Sequence, residues 1–459
     1  MSFKVNILKG SLGKNIFLFT IPIMLQGILQ SLYNSADLVI VGNFAENGDA
    51  ALSAVGATSS IYNVMTALFM GIAVGVDVVT SFNYGRQEYE KVKKAIDTAV
   101  IAGVGLGIFA AVLGFVLAKP VLIWMNTPEV DNVLANATLY LRILMIGVPF
   151  SLLFNFCSAV FRTAGETNRP FKYLVLSGLL NVALNIVFVA GFKWGVAGVA
   201  IATVISQIVS CMLLLIRLMK NQGLFSFKIR GIQFSWKLFG KMVAIGLPAG
   251  LQSSAFSLSN VFLQSGVNSF GKDAMAAGTA VNTIEGLMWV TLSSFNNATT
   301  TFVSQNYGAG DMKRATDSVK YSLLMTIAIG LFLGLTMYFT GDQIMEIFIS
   351  DGNTVAMEYA RQRYSITYPA YFLAGIMSVL PGTIRGFGSS LPPSIITLLG
   401  ACGIRIVWVF TIFRMFPTMT VLYLVHPITW VITNIALIIN LVIVYKIAKK
   451  RIKKYKKGV

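Results

Sequence analysis

Residues 15–41 read NIFLFTIPIMLQGILQSLYNSADLVIV, from Asn15 to Val41. The run is apolar and exceeds the roughly 20 residues that a helix needs to cross a bilayer. Within it stand Pro22, Gln26, Gln30, Asn34 and one carboxylate, Asp37. An acid inside a span costs about 2.5–3.5 kcal/mol on insertion scales and is tolerated mainly where it faces protein or a wet cavity. Gln26, Gln30, Asn34 and Asp37 recur at steps of four, four and three, which places them on one helical face. That stripe predicts a face turned away from lipid. Three roles fit Asp37: a snorkelling residue near the end of the span, a buried structural acceptor, or an ion and substrate site. The continuous polar stripe beneath it favours the functional acid.

The rest of the chain has the same character. Apolar residues make up 56%, charged residues 12%, and mean hydropathy is +0.73. These values belong to a polytopic membrane protein. The net charge of +18 sits between and beyond the apolar runs, so it reads as membrane orientation rather than nucleic-acid binding. Cys157, Cys211 and Cys402 lie inside apolar runs without metal-ligand spacing, and His426 is the single histidine. No P-loop, GxSxG or HExxH is present. Enzymatic chemistry and a resident cofactor are therefore not expected.

Apolar runs separated by turns and charges predict twelve spans, roughly at 15–41, 51–80, 95–118, 134–160, 171–190, 195–218, 238–265, 275–302, 316–339, 359–382, 393–415 and 421–446. With the N-terminus in the cytoplasm, most of the 36 lysines and arginines fall on the cytoplasmic side. Only Lys119, Arg142, Lys193, Lys272, Arg361, Arg363, Arg405 and Arg414 fall in spans or on the outer side. Both termini are expected inside. The tail KIAKKRIKKYKKGV, ending at Val459, is a topology anchor suited to touching anionic lipid.

The basic stretch from Lys220 to Lys241 divides the spans into two sets of six, and the halves repeat. Pro22, Gln26 and Asn34 return 226 residues later as Pro248, Gln252 and Asn260. Asn83-Tyr84-Gly85 returns after 223 as Asn306-Tyr307-Gly308, and Arg162, Gly165 and Pro170 return at that offset as Arg385, Gly388 and Pro393. Pro149 returns after 220 as Pro369. An even number of spans per half gives both halves one orientation, the parallel-repeat arrangement of several secondary transporters. The expected fold is thus an all-α polytopic membrane protein, twelve transmembrane helices in two six-helix parallel-repeat lobes. The expected domains are an N-lobe at 1–219, a cytoplasmic linker at 220–237, a C-lobe at 238–445 and a basic tail at 446–459. The repeat breaks at Asp37, whose counterpart is Leu263. A carboxylate in one half only points to a chemical task for the N-lobe.

Together these residues resemble the multidrug and toxic compound extrusion (MATE) transporters. The resemblance is carried by Pro22 through Asp37, the Gly85 and Gly308 loop motifs, Tyr140-Leu141-Arg142 ahead of Pro149, and Arg162-x-x-Gly165. Asn181-x-x-x-Asn185 in span 5 and Gly195-x-x-Gly198 opening span 6 complete it. It implies export of bulky, often cationic compounds in exchange for H+ or Na+, from one site between the lobes of a monomer in the cell membrane. Asp37 resembles the family's span 1 acid, Asn181 its span 5 asparagine, and Pro22 the proline at which span 1 bends. Tyr140 and Thr203 resemble polar partners from spans 4 and 6. Asn185 falls where some members carry a second acid, so this chain has one charge fewer. If Na+ is the coupling ion, Asp37 and Asn181 are its expected ligands.

Physical chemistry supports a coupling role independently. A carboxylate whose surroundings alternate between wet and dry can take up and release a proton. The same oxygens, with those of Asn181, Asn185 and Thr203, would suit a hard cation such as Na+. For substrate the candidates are Asp37, Gln26 and Asn34, with Glu285, Met288 and Trp289 in span 8. Glu285 also fits a buried ion pair with Arg405, and Arg162 and Arg385 read as anchors of cytoplasmic loops. Asp77 reads as structural or gating. Two rivals remain. One is a flippase for a lipid-linked anionic precursor, which calls for more intramembrane bases than Arg142 and Arg405. The other is an uncoupled channel.

Overall fold

The computed structural model describes residues 4–45, 48–125, 127, 129, 132–349 and 353–457. The first three residues of the expected N-lobe and the last two of the basic tail lie outside the described residues. Every regular element among the described residues is helical. Spans 1 to 4 are α1 (Leu12–Phe44), α2 (Gly48–Gly85), α3 (Tyr89–Trp124) and α4 (Val133–Thr163). Span 5 is α5 (Asn168–Asn185) continued by a π-helical turn at Ile186–Gly191, and span 6 is α6 (Gly195–Lys220). Spans 7 to 9 are α7 (Trp236–Asn268), α8 (Lys272–Gly308) and α9 (Met312–Met345). Span 10 is divided into α10 (Thr354–Thr367) and α11 (Tyr371–Gly386). Span 11 comprises α12 (Leu391–Thr397), a π-turn at Leu398–Gly403, α13 (Ile404–Phe410) and α14 (Ile412–Met415). Span 12 is α15 (Met419–Lys457). The fold is all-α and polytopic, with twelve transmembrane helices in two six-helix lobes.

Nine of these spans are long and apolar enough by composition alone to cross a membrane, among the described residues. The other three are α7, α8 and the divided span 10. α7 carries Gln252, Ser253, Ser254, Ser257, Ser259, Asn260 and Gln264, and α8 is similarly rich in Ser, Thr and Asn. Polar side chains at such depth are tolerated where they face protein or water. Span 10 is cut at Pro369, since proline supplies no N–H and crowds the preceding turn. Its repeat counterpart, Pro149, stays inside an unbroken α4.

By packing, the chain falls into two compact units: Met1–Asn6 with Ile21–Gly250, and Ile7–Thr20 with Leu251–Val459. The duplication is structural within each. A Cβ on Gly103, Gly107 or Gly114 of α3 would meet Leu153, Pro149 or Met145 of α4 at 3.2 Å or less. These glycines recur 227 residues later as Gly330, Gly334 and Gly341 of α9. There the added Cβ would meet Phe372, Tyr368 or Tyr364 of span 10. Small residues let helix backbones approach closely in both units, which is how helices gain packing energy in lipid.

The Arg-x-x-Gly motifs terminate helices. Gly165 and Gly388 hold φ of +79° and +84°, a left-handed conformation that suits glycine. Their amides donate to the carbonyls of Arg162 (2.9 Å) and Arg385 (2.7 Å), and those of Glu166 and Ser389 donate to Phe161 and Ile384. This pairing closes a helix C-terminus. Helices α2 and α8 end in the same way, except that the left-handed position is Gly310 in one and Gln87, at φ +61°, in the other. A left-handed non-glycine costs about 1–2 kcal/mol. Glycine's extra freedom in the unfolded chain takes back about 0.4–1 kcal/mol. Gln87→Gly is therefore expected to stabilise the protein by about 0.5–1 kcal/mol, read as a higher thermal midpoint in detergent.

Candidate functional site

In the first unit, α1, α5 and α6 bring four polar side chains together. Asp37, 7% exposed, accepts from Asn185 Nδ2 at 2.5 Å through Oδ1 and from Thr203 Oγ1 at 3.2 Å through Oδ2. Asn185 Nδ2 also donates to Asn181 Oδ1 at 3.3 Å, and Asn181 Nδ2 donates to Thr203 Oγ1 at 3.3 Å. Four hydrogen bonds thus close a ring around one carboxylate. Spacing explains how α5 serves it, because Asn181 and Asn185 are four residues apart and share a face. The π-turn at Ile186–Gly191 begins directly after Asn185. Such turns widen a helix locally and recur at functional sites.

The ring carries one formal negative charge. Donors from Asn185 and Thr203 stabilise that charge, since charge-assisted bonds are the stronger ones. Asn185 is fully buried, and its Oδ1 has no hydrogen-bond partner. An orphan acceptor beside a carboxylate is costly in a dry interior. It is also suited to an arriving proton or hard cation. Turning the Asn185 amide about its last torsion would present Oδ1, rather than Nδ2, to Asp37. That orientation is disfavoured while Asp37 is bare and favoured once a proton or Na+ sits on it. Tyr140 is buried within electrostatic range of Asp37. The Asp37 oxygens, with those of Asn181, Asn185 and Thr203, are the groups available to a cation.

Pro22 lies buried inside the continuous α1. On the stripe between it and Asp37, Gln26 is half-buried and Asn34 is exposed. Nearer the end of α2, Arg162 Nε donates to Asp77 Oδ2 at 2.9 Å, and Ser81 Oγ donates to Asp77 Oδ1 at 3.1 Å. Asp77 is therefore tied into an ion pair. Its repeat counterpart is Thr300, so Arg385 donates instead to Gln252 and to Ser394 at 3.2 Å.

In the second unit Glu285 has a partner other than the expected Arg405. Arg363, 5% exposed, binds both its carboxylate oxygens, with Nη2 at 2.6 Å from Oε2 and Nε at 3.2 Å from Oε1. Arg363 Nη2 also donates to Asn282 Oδ1 at 2.6 Å, and Thr367 and Tyr371 complete the surroundings of Glu285. Arg363 lies within α10, which packs against α8, and this brings its side chain from the expected outer edge of span 10 onto Glu285. Met288 is buried, while Trp289 is half-buried with its ring 6.0 Å from that of Phe256.

Comparison with known proteins gives one consistent result. The family model MatE matches residues 22–187 and 248–411. Probable multidrug resistance protein YoeA of Bacillus subtilis is 28% identical, covering 87% of this chain and 86% of its own length. Probable multidrug resistance protein YpnP of the same organism is 27% identical, covering 85% and 86%. A crystal structure of MATE in the straight conformation superposes with a TM-score of 0.86 at 21% identity, covering all of both chains.

Proposed function

This chain belongs to the MatE family of multidrug and toxic compound extrusion proteins, and from that premise we propose that it exports hydrophobic, often cationic compounds from the cell by exchange with H+ or Na+. It is a multi-pass membrane protein and not an enzyme. We place it in the cell membrane as a monomer, with both termini cytoplasmic and with lobes at 1–219 and 238–445 joined by a linker at 220–237 and followed by a basic tail. The relatives named as multidrug resistance proteins support the cargo class. No resident cofactor is required. The observation that carries ion coupling is the closed ring around Asp37, one of whose members, Asn185, keeps a buried side-chain oxygen without a partner.

The exchange works through charge. An empty Asp37 is anionic and held by the amide of Asn185 and the hydroxyl of Thr203. A proton or Na+ neutralises it, the Asn185 amide turns, and the attraction of α1 toward the ring changes. Pro22 gives α1 a place to bend, because its helix lacks a hydrogen bond there. Alternating access follows if the ion-loaded and empty rings favour different shapes of α1, by as much as their ion affinities differ. Asp37, Gln26 and Asn34 face the cargo in this scheme. Met288 and Trp289 add dispersion and ring contact.

The test is efflux of a fluorescent lipophilic cation from proteoliposomes, with H+ and Na+ gradients imposed separately. One gradient is expected to drive uphill movement, and collapsing that gradient to stop it. Downhill flux indifferent to both ions would make the protein an uncoupled channel instead.

A further inference from the structure

The second unit buries more positive than negative charge. Glu285 is fully engaged by Arg363, yet Arg405 is 4% exposed in the middle of span 11. Among the described residues no carboxylate lies within 4.0 Å of it. Its Nη1 makes one long hydrogen bond, 3.5 Å, to Asn260 Oδ1, and its Nε has no partner. The ring of Phe256 stands 5.9 Å from its guanidinium carbon. A guanidinium is a five-donor fork built for planar oxyanions. Leaving one in a membrane interior with a single weak acceptor costs several kcal/mol, so such residues are retained for function.

The surroundings are open on one side. Asn260, the residue that covers Nη1, is exposed, and Phe256 and Trp289 beside it are half-buried. These two rings lie 6.0 Å apart at 43° to one another, so an aromatic corner adjoins the cation. The repeat adds an independent point. Asn260 is the counterpart of Asn34 on the Asp37 helix, and span 11 is the counterpart of span 5, which supplies Asn181 and Asn185. Corresponding spans thus carry a single acid among polar partners in one unit and a base with one long hydrogen bond in the other.

We propose that Arg405, with Asn260, Phe256 and Trp289, forms an anion subsite that takes the carboxylate of a flat aromatic substrate. The inference rests on the export reading for its biological use, but the site is defined by binding alone. The carboxylate engages Nε and Nη2 in two parallel bonds, the edge Arg363 presents to Glu285, while Asn260 keeps Nη1, and it lays its ring system against Phe256 and Trp289. Substrates that are zwitterionic, with a cation and a carboxylate on one aromatic body, then gain over their purely cationic esters. Both Glu285 oxygens are held by Arg363, so among the described residues Glu285 acts on Arg405 through space and leaves its donors free for a ligand.

A matched dye pair tests this. Rhodamine 110 carries a free carboxylate, and rhodamine 123 is its methyl ester with the same xanthylium cation. Binding of each to purified full-length protein in detergent is followed by fluorescence anisotropy, and transport of each in proteoliposomes. Wild type is expected to bind the acid at least about tenfold tighter than the ester, a gap that Arg405→Gln erases while the ester changes less than twofold. Asn260→Asp supplies an internal counter-ion and is expected to have the same selective effect without removing the arginine. Arg405→Met is expected to raise the thermal midpoint, since it removes a buried charge that has no hydrogen-bonded counter-ion, whereas a structural arginine would lower it. The proposal is overturned if wild type shows no preference for the acid. It is equally overturned if the preference survives Arg405→Gln or Asn260→Asp, or if both dyes weaken together. Failure of ester transport with the acid preference in binding intact would count against the export reading and not against this site.

Discussion

Asp37→Asn is expected to abolish ion-driven efflux, by about a hundredfold or more, while leaving normal amounts of protein in the membrane. The substitution is nearly isosteric, so the ring can be preserved. The new side-chain oxygen accepts from Asn185, and the new amide donates to Thr203, whose hydroxyl turns to accept. The charge is lost, and with it the group that distinguishes an ion-loaded from an empty site. A ligand that binds two states equally shifts nothing, however tightly it binds. Without the carboxylate, H+ or Na+ has no differential hold on α1, and a gradient cannot be converted into movement of cargo. Downhill exchange of dye is expected to survive at lower affinity, because only the charge of one cargo-facing residue is lost. The measurement compares gradient-driven and downhill flux in the same vesicles. Unimpaired uphill efflux in Asp37→Asn would remove the ring from the mechanism.

The largest expected effect on stability lies at Asp77. Its carboxylate binds Arg162 at 2.9 Å, and Ser81 bridges it to Thr163, with a Ser81–Thr163 hydroxyl contact of 2.9 Å. Asp77→Leu leaves the Arg162 guanidinium, whose side chain is only 13% exposed, without its counter-ion, and breaking one partner of a buried pair costs up to about 3–5 kcal/mol. Removing both partners is far milder, since apolar replacements of similar volume are often neutral. The double variant Asp77→Leu with Arg162→Met is therefore expected to recover most of the thermal midpoint lost in the single one. If the losses simply add, the pair is not the unit holding these helices.

Much of this was legible in the chain itself. An apolar run interrupted by four polar residues at helical spacing exposes a functional face, because each interruption is costly in lipid. Asp37, Asn181, Asn185 and Thr203 stood out on this ground or by family resemblance, and the structure joins them in one ring. The repeat was visible from collinear offsets, and the Arg-x-x-Gly motifs gain a physical meaning as helix ends.

What escaped has identifiable causes. Arg363 resembles an outer-edge base, because Arg361 lies two residues before it, and only the packing of α10 on α8 shows it buried against Glu285. Arg361 instead pairs with Asp342 at 2.7 Å, with both side chains partly exposed. The paired glycine series of α3 and α9 had a usable signal in its constant offset of 227, but its meaning depends on which helix lies opposite. The π-turns after Asn185 and before Arg405 leave no composition signature, since they arise from one residue added to a helical turn.

If Asp37 exchanges an ion for cargo, cargo must also be able to drive the ion, and that reverse exchange can be measured. Proteoliposomes are given an outward-directed or inward-directed gradient of fluorescent cation and no ion gradient, while internal pH and internal Na+ are recorded together. Cargo movement in wild type is expected to drive one of the two ions in the opposite direction, at a fixed ratio, and Asp37→Asn to move cargo with neither ion following. Cargo flux without ion counterflow in wild type, or counterflow undiminished in Asp37→Asn, would contradict exchange at Asp37.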